Sequence, residues 1–140
     1  MEKFIKEAIK LANNITIATG QSKVKQKQNP ILHATIDCIQ NAGKLKNYEN
    51  TTLYITLIPC YLCAGAIIYL GIKKIIIGDS RSYIGAKSFL QDYGIEIIDL
   101  NLNECKKLIK DFAKKYPYLQ QKTKIFKETI EKNNFEILEE

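Results

Sequence analysis

Tryptophan is absent from this 140-residue chain, histidine and methionine occur once each, and proline occurs three times. No apolar stretch reaches the ~18 residues a membrane span requires. Residues 1–11 alternate charged and apolar side chains and lack the apolar h-region of a secretory signal. The expectation is therefore a cytoplasmic protein without a membrane partner. Thiols stay reduced in that compartment. The four cysteines are accordingly read as metal ligands, catalytic groups or core packing, and not as disulfides. There is no internal repeat and no low-complexity linker. Any imidazole chemistry has to use the single histidine, His33.

What is present is enough for a folded core. Hydrophobic residues make up 46% of the chain, which has the length of one domain. Basic residues outnumber acidic ones by 21 to 15, a net charge of +6. The lysines are scattered, and a scattered excess reads as a solvated surface before it reads as a nucleic-acid footprint. The same holds for Lys23, Lys25 and Lys27, which sit in a polar loop.

Periodicity supplies the elements. Phe4, Ile5, Ala8, Ile9 and Ala12 recur at helical spacing and predict a helix over 2–12. Residues 15–19 read as a short strand ended by Gly20. Asn29-Pro30 is a helix-start signal, and the helix it predicts runs to Gly43. Residues 51–57 are β-branched and aromatic, hence a strand. Pro59 opens a helix that stops at Gly71. Residues 74–77 form a strand closed by Gly78, and 84–93 a helix ending at Gly94. A strand over 95–100, a lysine-rich helix over 104–116 stopped by Pro117, and a last helix over 121–133 complete the reading. Strand and helix alternate from residue 51 onward, which predicts parallel strands joined by crossover helices.

The chemistry concentrates in Pro59-Cys60-Tyr61-Leu62-Cys63. This C-x-x-C lies at a strand-to-helix turn. Unpaired N–H groups and the dipole of the helix N-terminus favour the thiolate form there. Alone, the motif is ambiguous between a metal site and a redox pair. A proline before it and a histidine upstream at another helix start favour zinc. Ligands His33, Cys60 and Cys63 would leave one zinc position open, as a catalytic site requires. Cys38 and Cys105 have no partner at ligand spacing and read as core.

These residues resemble a known family. His33-x-x…Pro59-Cys60-x-x-Cys63 follows the H-x-E…P-C-x-x-C order of the zinc deaminases. Thr51-Thr52-Leu53-Tyr54, Gly65-Ala66-Ile67-Ile68, Gly71-Ile72 and Cys105-Lys106-Lys107 resemble microbial cytosine deaminases, with tRNA adenosine deaminases and guanine deaminases as broader relatives. The resemblance spans about residues 15–117. It implies a three-layer α/β/α sandwich with a mixed, largely parallel sheet, one Zn2+ per subunit and a homodimer. The implied reaction is hydrolysis of cytosine to uracil and ammonia, a pyrimidine-salvage step on a small nucleobase. In that family's pattern the Cys60 backbone N–H supports the developing oxyanion. The Ile58 carbonyl holds the amino group, Tyr83 stacks near the base, and Ser22 falls where the family has a substrate-contacting asparagine, a departure from the pattern.

The chain also departs from the pattern. Thr35 occupies the position of the signature glutamate, which moves protons in the family, and a hydroxyl is too weak an acid for that work. Asp37, two residues on, is expected to lie away from that place as the helix turns. The N-terminal strand region is shortened, and Tyr118-Leu119-Gln120-Gln121 stand where the family has a tryptophan and an acid. The expected organisation is a deaminase-like domain over 1–118 and a helical extension over 119–140. Two other readings stay open: a non-catalytic zinc-binding module on the same fold, and a deaminase of tRNA or single-stranded nucleic acid.

Overall fold

The computed structural model describes residues 16–117. The elements run α1 (Ala34–Ala42), β1 (Thr52–Leu57), α2 (Tyr61–Leu70), β2 (Lys74–Asp79), α3 (Lys87–Asp92), β3 (Glu96–Asp99) and α4 (Asn103–Lys115). The helices expected over 2–12 and 121–133, and the extension over 119–140, lie outside the described residues. No helix among the described residues is long and apolar enough to cross a membrane.

The three strands form one parallel sheet in the order β1-β2-β3. Leu53 pairs with Ile75 and Ile55 with Ile77, while Ile75 pairs with Ile97. Such strands need long crossovers, and α2 and α3 supply them. Side chains alternate across the sheet. Ile75 and Ile77 join Ala64 and Ile67 of α2 and Leu90 of α3 in one fully buried cluster. Gly78, at the opposite parity, faces α4. A Cβ on Gly78 would fall 2.3 Å from the Cys105 sulfur and 2.9 Å from the Thr56 carbonyl oxygen. Helices therefore cover both faces, which is the expected three-layer α/β/α arrangement.

That contact also corrects one boundary. Gly78 does not close β2 but lies inside it, because a glycine is what lets α4 approach the strand. Asp79, fully buried, ends the strand instead. Gly43, Gly71 and Gly94 do stand just beyond their helices, each at positive φ.

Two N-terminal expectations are also revised. The helix predicted from Asn29-Pro30 begins later, at Ala34. The Asn29 side-chain oxygen accepts the Ile31 N–H at 3.1 Å, and the Leu32 N–H donates to the Asn29 carbonyl. This local turn consumes the capping signal, and His33, in extended conformation, becomes the N-cap. The strand expected over 15–19 is not a strand at residues 16–19. Its carbonyls are taken by side chains of α1: Cys38 Sγ lies 3.6 Å from the Ala18 oxygen, and Asn41 Nδ2 donates to Thr19 at 2.8 Å. A segment docked on a helix in this way has no sheet ladder to join.

Candidate metal centre

The parallel sheet sets the place of the site. Crevices in such sheets open at the carboxyl ends of the strands. β1 ends at Leu57, and Ile58-Pro59-Cys60 leads from it into α2. The Ile58 N–H donates to the Asp79 carbonyl at 2.9 Å, so this exit is tied to the exit of β2. Gly85 then brings the β2–α3 loop against it. A Cβ there would lie 2.6 Å from an Ile58 methyl and 2.7 Å from the Pro59 oxygen, which also accepts the Ala86 N–H at 2.8 Å.

The buried Asp79 carboxylate holds the start of that loop, accepting the Arg81 N–H at 2.9 Å and the Ser82 N–H at 3.3 Å. Burial raises its pKa, but hydrogen bonds from the Ser82 side chain and from those N–H groups outweigh burial and leave it lowered. A carboxylate lowered on folding stabilises the fold above its ordinary pKa and loses that contribution as pH falls through the folded value. Asp79→Asn is expected to melt below the parent at neutral pH, with the gap closing below about pH 3.8. Paired thermal melts at neutral pH and at about pH 3 check this. A constant gap would show that the charge of Asp79 is not what holds the loop.

Three ligand-type side chains meet at this edge. His33 is the N-cap of α1, Cys60 the N-cap of α2, and Cys63 lies in the first turn of α2. His33 Nδ1 is 3.4 Å from Cys60 Sγ and 3.6 Å from Cys63 Sγ. All three donor atoms lie within 4.8 Å of one another. Zinc bonds of about 2.0–2.1 Å to nitrogen and 2.3 Å to sulfur, at a tetrahedral angle, separate those donors by about 3.6 Å. The spacing and the donor set thus fit zinc and leave a fourth position for a non-protein group. Among the described residues this is the one cluster of three such donors. Cys38 and Cys105 are outside it, as the sequence predicts.

The sulfurs are electrostatically unequal. Hydrogen bonding with Cys63 is the largest cause that lowers the Cys60 thiol, burial opposes it, and the charge of His33 assists; the result is about 5. Cys63 moves the other way, because it shares the Cys60 hydrogen bond and is more deeply buried. Thr35 is buried and its hydroxyl bonds toward Cys63, easing ionisation of that thiol. It therefore stands beside the ligands, as its place two residues after His33 predicts.

The other predicted residues differ in placement. Ile58 is buried at the base of the site. Tyr83 is half-buried, and its phenol is raised by burial first and then by the charges of Cys60 and Cys63. Ser22 is exposed, one residue from Lys23, whose N–H donates to the Leu32 carbonyl at 3.0 Å beside His33. Asp37 points into contacts with Gln21 and Lys23. Two structural acids, Asp37 and Asp79, do not stand out as supports in the sequence. Asp79 ends an apolar strand run, which is a usable signal for a buried carboxylate.

An α/β domain with one nitrogen and two sulfur donors at the strand ends defines a zinc protein. Residues 4–79 match the family described as the cytidine and deoxycytidylate deaminase zinc-binding region. A cytosine deaminase of Candida albicans is 34% identical over 108 residues, covering 76% of this chain and 72% of that one. A tRNA-specific adenosine deaminase of Buchnera aphidicola subsp. Schizaphis graminum is 37% identical over 109 residues, covering 70% and 72%. A solved guanine deaminase from Nitrosomonas europaea shares the fold, with a TM-score of 0.50 at 18% identity over 65% of this chain and 62% of that one. The chain belongs to the cytidine and deoxycytidylate deaminase family, whose members use zinc and whose reaction is hydrolytic deamination.

Proposed function

We propose that His33, Cys60 and Cys63 hold Zn2+ in a nucleobase pocket built for cytosine, and that Thr35 leaves this chain weak in turnover. The observation that carries the reading is the convergence of the three donors at 3.4 and 3.6 Å. When bound, zinc supplies Lewis acidity that makes water nucleophilic near neutral pH. The remaining tasks fall to the chain. The N-terminus of α2 at Cys60 presents backbone donors toward developing negative charge. The Ile58 carbonyl accepts from the exocyclic amine, and Tyr83 covers one face of the base. Ser22 contacts its edge. Thr35 holds Cys63 and relays no proton, since a hydroxyl is not a general acid near neutral pH.

The cytosine deaminase relative and the run Cys105-Lys106-Lys107 support a free pyrimidine as substrate. The relatives acting on tRNA favour a second reading, in which adenosine in a folded RNA is the target. The zinc-loaded chain, unaltered and with Thr35→Glu, is offered cytosine and then tRNA. Ammonia from cytosine supports the first reading; inosine in tRNA supports the second and overturns the first. Bound zinc with neither product supports a non-catalytic module.

The reading includes a cytoplasmic setting, in which the four thiols stay free, and a homodimer. α2 is apolar on all sides, and such a helix needs cover. Its outward residues Tyr61, Leu62 and Tyr69 are exposed, Tyr69 at 89%, and Tyr61 continues into Phe89 and Tyr93 with ring centroids 5.6 and 5.1 Å apart. A second copy of this face would bury it. Sedimentation is expected to give a dimer for the parent and a monomer for Tyr69→Glu; a monomeric parent overturns the pairing.

A further inference from the structure

A second cluster on α1 is separate from the metal donors. Asp37 is only 3% exposed, and both its oxygens are engaged. Oδ2 accepts the Gln21 N–H at 3.0 Å, and Oδ1 accepts the Lys23 ammonium at 2.7 Å. These donors flank Ser22 on either side. Farther along α1, Asn41 Nδ2 donates to the Thr19 carbonyl at 2.8 Å and reaches Asp37 Oδ2 at 3.5 Å. Gly20 lies flat on the helix, where a Cβ would be 2.3 Å from the Cys38 nitrogen and 2.5 Å from the Ala34 oxygen. The Lys23 N–H, bonded to the Leu32 carbonyl at 3.0 Å, fastens the end of the strip beside His33.

This is a dense set of bonds for a segment outside any regular element. A buried carboxylate is costly unless it is hydrogen-bonded and paired, and here the strip pairs it and, with Asn41 of α1, hydrogen-bonds it. The Lys23 hydrogen bond and the Gln21 N–H hold the Asp37 carboxyl below the usual range, so it stays charged. The acid faces the strip, and the hydrogen bonds that hold it come from Gln21, Lys23 and Asn41.

We propose that Asp37 is a positioning residue that clamps residues 19–23 along α1, so that Ser22 stands as a fixed wall beside the His33 end of the pocket. Its meaning for substrate rests on the deaminase reading; the clamp itself does not. A strip held by side chains does here what a sheet ladder does for a strand. One aspartate then governs how firmly the pocket wall is placed.

Reporters lie in the strip and just beyond it, because Lys23, Lys25 and Lys27 are trypsin sites. Full-length zinc-loaded parent, Asp37→Ala, Lys23→Gln and Asn41→Ala are digested under native conditions. Cleavage after Lys25 and Lys27 is expected to accelerate roughly tenfold or more in Asp37→Ala and Lys23→Gln, and less in Asn41→Ala. The cobalt-substituted forms are expected to keep the parent thiolate-to-metal absorption, since the triad is untouched. In a Thr35→Glu background, Asp37→Ala is expected to raise KM for cytosine more than it lowers kcat. Unchanged cleavage in Asp37→Ala and Lys23→Gln overturns the clamp. So does an altered cobalt spectrum, which would place Asp37 in support of the ligands instead. Should the Thr35→Glu parent release no ammonia, the deaminase reading fails by itself, and the clamp is still decided by cleavage and by cobalt. Should Asp37→Ala fail to fold, Lys23→Gln and Asn41→Ala test the clamp in its place, and unchanged cleavage in both overturns it.

Discussion

Thr35→Glu is expected to raise ammonia release from cytosine, per bound zinc, by ~10²–10⁴-fold, the usual worth of a placed general acid–base. The argument is local. Thr35 is two residues beyond the N-cap ligand His33, is 6% exposed, and faces Cys63. A carboxyl built there stands next to the metal position. Burial raises a carboxyl pKa, which moves a glutamate toward the neutral range where it can both take and give a proton. Threonine has no such state. Overpacking and a buried charge work against the variant and cost about 1–3 kcal/mol of stability. Bound zinc offsets part of that through its positive charge, so the variant is expected to fold better with zinc than without it. Activity that stays at the parent level in the zinc-loaded variant would place the defect elsewhere in the pocket and favour a binding module.

Loss of a ligand is the second large effect. Cys63→Ala is expected to lower zinc affinity by more than ~100-fold, since even outer partners of ligands are worth about 10–100-fold. Cys63 is 3% exposed and is held by the first turn of α2, so no mobile neighbour can replace it. A metal held by these three donors would also join the N-termini of two separate helices, α1 and α2. A ligand that binds only the folded state stabilises it by mass action. Removing zinc from the parent with a chelator is therefore expected to lower the melting temperature by about 10 °C. Cys105→Ala is the control. Cys105 packs under Gly78 on the far side of the sheet, outside the donor cluster. That variant is expected to keep one zinc per chain while melting lower. Equal zinc loss in both variants, measured by metal analysis after dialysis, would overturn the assignment.

Motif order and ligand chemistry were legible in the sequence because they are local. C-x-x-C after a proline puts two sulfurs on the first turn of a helix whatever surrounds it, and the single histidine leaves no rival. The parallel sheet was legible for a similar reason. Apolar β-branched runs separated by helical stretches can pair in parallel and in few other ways. Thr35 stands at the spacing from His33 where the resemblance places a glutamate.

One thing was decided by a local turn and two by tertiary contact. Asn29 looks like a helix cap in sequence, yet its side chain closes a turn and hands the cap to His33, which is what aims the imidazole at the cysteines. Residues 16–19 have strand-like composition, but α1 offers Cys38 and Asn41 as partners to the Ala18 and Thr19 carbonyls, and the segment docks there. Gly78 reads as a stop, and it is a gap into which Cys105 fits. By itself, then, the sequence determined the family, the parallel layering and which His and Cys residues are candidate metal donors, all of which follow from local spacing. The supports around the site were settled by the folded structure, because a buried carboxylate such as Asp37 or Asp79 takes whichever donors the fold brings within reach, and for Asp37 the Gln21 and Lys23 donors lie many residues away in the chain.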